Sequence, residues 1–138
     1  MKAVRWVLVG PLWVAGLFAW IFATVWIGAF VRSLCPEDLV ASGTCAASWY
    51  VGLKELAFCA SAAAGAIAMV ALPSLAAPRS VTLDVAVSAY GLGGAVAICV
   101  TWAAWMAGAG MAAILPLLVA LAAGLITVSL FARRRSAV

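Results

Sequence analysis

The sequence predicts an all-α integral membrane protein, a four-helix transmembrane bundle with both termini cytoplasmic, and three observations predict it. Of 138 residues, 69% are hydrophobic and only 9% charged, whereas an average soluble chain carries about 25% charged residues. The few charges bound long uncharged runs, each a helix length or more. When those runs are threaded alternately through a bilayer, most Lys and Arg side chains fall on one side. Glycine and proline follow no repeat, so collagen-like and low-complexity chains are excluded, and residues 1–138 form a single transmembrane domain.

A helix needs about 20 apolar residues to cross a hydrocarbon layer of about 30 Å. Between Arg5 and Arg32 lies one uncharged run, read as a span over 7–31. Its apolar core is longer than the 7–15 residues of a secretory signal, so it reads as a span rather than a leader. The second span is expected over 49–72, with Pro73 and Pro78 marking its exit. Nothing from Val85 to Ala132 is charged, a stretch about twice the membrane thickness that must fold back on itself. The turn falls at Met106–Met111, giving spans over 82–105 and 112–132, with Pro116 tolerated in the first turn of the last helix.

Four spans put both termini on one side. That side carries Lys2, Arg5, Arg79, Arg133, Arg134 and Arg135, against Arg32 and Lys54 opposite. Cations in short loops mark the cytoplasmic face, so the expected location is a bacterial inner (plasma) membrane with loop 33–48 outside. The same rule explains the terminal arginines without nucleic acid, because no basic face with interleaved aromatics accompanies them.

The chain has no histidine, which removes imidazole haem ligation, the usual zinc sites and histidine acid–base chemistry. No cofactor, metal or catalytic residue is expected. Cys35 and Cys45 share the outer loop, where an oxidising compartment favours a disulfide. Neither belongs to the C-x-x-C motif of thiol oxidoreductases. Cys59 and Cys99 lie within spans and read as small apolar packing groups.

Trp26, Trp49, Tyr50, Trp102 and Trp105 fall near the outer interface and read as an aromatic belt. Trp6, Trp13 and Trp20 recur every seven residues, a spacing that drifts only about 20° per repeat, so they form one stripe. That stripe is a candidate face for lipid, a neighbouring helix or a partner. Small residues of spans two and three, Ser61 with Gly65, Ala89 with Gly93 and Gly91 with Ala95, are expected to form the bundle's central seam. Ala63-Ala64-Gly65 is echoed by Ala122-Ala123-Gly124, which allows a tandem duplication of a two-helix unit. Lys54, Glu55 and Asp84 sit near span ends, and no charge falls at the midplane where an ion-coupled carrier would place one.

Two functions compete. The first is a non-catalytic membrane subunit that packs into a larger assembly or onto its own copies, its partners being the lipid bilayer and other membrane subunits. The second is a small transporter or flippase for a hydrophobic or lipid-linked molecule, with Thr24, Ser88, Tyr90 and Thr101 as scattered polar contacts.

Overall fold

The computed structural model describes residues 2–41, 44–78 and 80–136. Helix α1 runs Lys2–Ser33, α2 Ser48–Ala76, α3 Thr82–Ala104 and α4 Ile114–Ser136. Each includes a segment long and apolar enough to cross a membrane, and the chain is a multi-pass membrane protein. Helices are what the bilayer demands, because each backbone group then finds its partner within its own segment. Side-chain hydroxyls follow the same rule. Thr127 and Thr24 each donate to the carbonyl four residues back, Ser33 and Ser129 to the carbonyl three back.

The expected exit at Pro73 is corrected. Helix α2 continues to Ala76 with Pro73 inside it and almost wholly buried. Proline interrupts one backbone bond, and membrane helices tolerate this where hydroxyls and neighbouring helices cover the freed groups. The carbonyl that Pro73 frees is that of Met69, itself buried; beside it Ser74 Oγ, also buried, donates to the Val70 carbonyl. The helix stops at Ala77, whose ψ of 151° is the extended geometry that a following proline, Pro78, imposes. A second proline, Pro11, is carried inside α1.

Between α1 and α2, a short 3₁₀ turn at Glu37–Leu39 leads into strands β1 (Val40–Ala41) and β2 (Thr44–Cys45). They pair antiparallel, Val40 opposite Cys45 and Ala41 opposite Thr44, and Ala46 N–H donates to the Leu39 carbonyl at 2.9 Å. Gly43 lies outside the described residues. Between α3 and α4 the chain makes a wide turn over Trp105–Ala109, then a 3₁₀ turn over Gly110–Ala113. Gly108 and Gly110 have φ of 90° and 55°, values that glycine adopts without the Cβ clash other residues meet. The turn expected at 106–111 is therefore where the backbone reverses. Pro116 sits in the first turn of α4, where its missing N–H has no intrahelical acceptor to lose.

Helix α2 is the hub, packing along α1, α3 and α4, while α3 and α4 also pack on each other. Among the described residues the only extensive helix partner of α1 is α2, so the four helices form a three-helix cluster flanked by α1 rather than a closed square. The small residues expected to line the bundle's central seam fall on different faces. Ser61 and Gly65 face α1, and Ala86 and Ala89 are the small buried residues of α3. Gly91 and Gly93 meet no side chain from another helix.

Burial is uneven along the membrane normal. On α2 the buried residues run from Ser61 to Ser74, on α3 from Val85 to Ala89, and on α4 they are Gly124 and Thr127. All lie between about the middle of the helices and the end that bears the termini. Toward the opposite end the described residues bury only Val31 and Ala47, where the loop is rooted.

Candidate functional site

The α1–α2 contact repeats every four residues. Gly16 lies against Met69 and Leu72, Trp20 against Gly65, and Thr24 against Ser61, so each step down α1 is matched by a step up its antiparallel neighbour. A Cβ at Gly65 would overlap the Trp20 ring, and that is why the ring can lie directly on the α2 backbone. Thr24 Oγ1 donates to the Trp20 carbonyl at 2.9 Å, which commits its single proton. Ser61 therefore donates to Thr24 Oγ1 across the 2.7 Å contact, completing a short relay between the helices.

The tryptophan stripe occupies this same face of α1. Trp13 and Trp20 are half-buried, and their indole nitrogens are covered without a hydrogen-bond partner. At Trp20 the stripe is thus an internal packing contact with α2. The side chain of Trp6 lies outside the described residues. What α1 turns outward is the opposite side, with Phe18 56% and Phe22 64% exposed beside exposed Val25 and Trp26.

The second hairpin closes in the same way. Tyr90 of α3 lies on Gly124 of α4, where a Cβ would come within 2.7 Å of Tyr90 Cδ2. In both hairpins an aromatic ring of the first helix sits on the glycine of an Ala-Ala-Gly step in the second. Trp20 and Tyr90 also border a narrow cavity of about 30 Å³ among the helices, lined otherwise by residues such as Ala62, Ala66, Gly93 and Ala97.

The loop carries the disulfide between Cys35 and Cys45, with Cα atoms 6.0 Å apart, a separation that needs no backbone movement to bridge. Cys59 is half-buried on α2 and Cys99 exposed on α3. Among the described residues no three His, Cys, Asp or Glu side chains gather where they could hold a metal. Trp26, Trp49, Trp102 and Trp105 are exposed and Tyr50 is half-buried, with Trp49 and Tyr50 edge to face at 6.2 Å. Lys54 and Glu55 project from the second turn of α2 and Asp84 from the first turn of α3, all exposed. Arg79 lies outside the described residues.

The four polar residues suggested for a substrate groove are not brought together. Thr24 is tied to Ser61, Tyr90 is seated on Gly124, Ser88 is exposed, and Thr101 lies beyond them near the far end of α3. The serine that completes the buried polar contact, Ser61, was legible only as a small residue. No known family model matches the chain, and no curated protein or solved structure matches it either.

Proposed function

We propose that the protein is a non-catalytic membrane subunit that packs laterally, through the outward side of α1, onto other membrane helices of a larger assembly or of its own copies. The observation that carries this reading is the one-sided attachment of α1. At 100° per residue, Phe18, Phe22, Val25 and Trp26 point away from the Gly16–Trp20–Thr24 row, with Ala15 and Ala29 between them. Four large residues between two alanines thus form a ridge that no helix of this chain covers. Helices in lipid associate by dispersion contacts rather than by a hydrophobic drive, and a ridge of this relief gains such contacts from another helix.

The assembly sits in a bacterial inner membrane with both termini cytoplasmic. Six of the eight basic residues at the end that bears the termini support that orientation. A fluorescent reporter fused after Val138 tests it, since it lights up only when the C terminus is cytoplasmic.

Co-purification from native membranes in mild detergent tests the function. Wild type is expected to bring down a second membrane polypeptide or a second copy. The double substitution Phe18→Ala with Phe22→Ala is expected to release it, whereas Trp102→Leu with Trp105→Leu, at the end of α3 and the start of the turn after it, retains it at equal expression. A lone monomer, with cross-linking catching no neighbour, overturns the reading.

A further inference from the structure

Helices α1 and α3 run in the same direction, and two contacts set their relative depth. Trp20 sits on Gly65 of α2, Tyr90 sits on Gly124 of α4, and a Cβ at Gly124 would lie 4.0 Å from the Cβ of Ala66, the residue after Gly65. Trp20 and Tyr90 are therefore level. With the same rise of about 1.5 Å per residue on both helices, Phe18 stands at the depth of Ser88, Phe22 at that of Leu92 and Val25 at that of Ala95.

Where α1 carries its outward ridge, α3 carries a groove. At about 100° per residue Ser88, Gly91 and Ala95 share one face of α3, and all three are exposed. Val85, Ala86 and Ala89, on the other side of the helix, are buried in the bundle. An added Cβ at Gly91 would meet nothing within 4 Å, while the exposed side chains of Val87 and Leu92 stand on either side as apolar walls. Small residues let helix backbones approach closely in lipid, where dispersion contacts drive association. What selects the occupant is that ridge and groove match in size, depth and helix direction and belong to one chain, so two copies inserted the same way present each other's complement without sliding along the membrane normal.

We propose that the α3 groove receives the α1 ridge of a second copy, with Phe18 and Phe22 straddling Gly91. This rests on the subunit reading and names its partner. Small-residue crossings in membranes open at about 40°, so Ile98 and Trp102, about two turns or more beyond Gly91, diverge into lipid. Ridge and groove are different surfaces, so the contact is head-to-tail and repeats from copy to copy in the membrane plane.

The test is co-purification of two differently tagged full-length copies from one membrane. Wild-type copies are expected to bring each other down. Gly91→Leu fills the groove and Phe18→Ala with Phe22→Ala removes the ridge, so either variant placed in both copies is expected to cut the co-purified fraction by about tenfold. One copy with Gly91→Leu and the other with Phe18→Ala and Phe22→Ala are expected to recover it, because the first still supplies a ridge and the second a groove. Recovery also shows that both variants fold. A mixed pair that fails to recover overturns the proposal, as does Gly91→Leu in both copies co-purifying like wild type. Wild-type copies that never co-purify overturn it too: the subunit reading then stands if a different membrane polypeptide is held through Phe18 and Phe22, and falls with it if none is.

Discussion

At Gly65 a single hydrogen atom in place of a side chain sets how closely α1 approaches α2. A methyl group there overlaps the Trp20 ring, so Gly65→Ala must push the helices apart or turn the ring. Overpacking of this kind costs about 1–3 kcal/mol. Thermal unfolding in detergent should show the loss, and Trp20→Leu in the same chain should restore most of it, because residues in contact do not act additively. The Thr24–Ser61 relay is a weaker clasp. Interhelical hydrogen bonds in membranes average about 0.6 kcal/mol, so Thr24→Val or Ser61→Ala should each lower stability by about that amount, and the two together by little more than one alone. A double substitution that costs the full sum would show that the two hydroxyls do not act as a pair.

The first hairpin depends on its loop as well as on its helices. The Cys35–Cys45 bond ties the end of α1 to β2, just before the start of α2, across a separation of ten residues. Closing a loop of this length constrains the unfolded chain by about 2–3 kcal/mol. Cys35→Ser should therefore lower the melting temperature under oxidising conditions and speed amide exchange over 33–48, while all four helices remain inserted, because insertion depends on their apolar runs. Equal melting of variant and wild type would remove the structural role of the bond. The second hairpin has no such tie and turns instead on Gly108 and Gly110. Both hairpins nevertheless seat an aromatic ring on an Ala-Ala-Gly step, a correspondence that accords with a tandem two-helix duplication.

Seen whole, the molecule divides what the chain makes legible from what it hides. Positions and lengths of the spans follow from charge spacing, membrane thickness and the Gly and Pro punctuation, since a charge in hydrocarbon is expensive and an uncharged run of twice the membrane thickness must turn back. Pro73 escapes that logic because its cost depends on tertiary cover, and Pro73 is buried among the neighbouring helices. Which face of each helix packs is also hidden. All sides of a transmembrane helix are apolar, so periodicity that would reveal a buried face in water carries little signal here. The tryptophan stripe was visible as a stripe, yet only the position of Gly65 decides that Trp20 packs inward. The disulfide was readable because loop, compartment and spacing agreed. The subunit role rests on the outward ridge of α1, which became visible only once the inward row was fixed.

Site-specific photo-cross-linking in native membranes tests that role most directly. A photoreactive side chain at Phe22, on the free ridge, should give a discrete protein adduct with another membrane polypeptide or a second copy. The same group at Ile98, exposed on α3, should give mainly lipid adducts. Lipid adducts alone from Phe22, matching those from Ile98, would contradict the account.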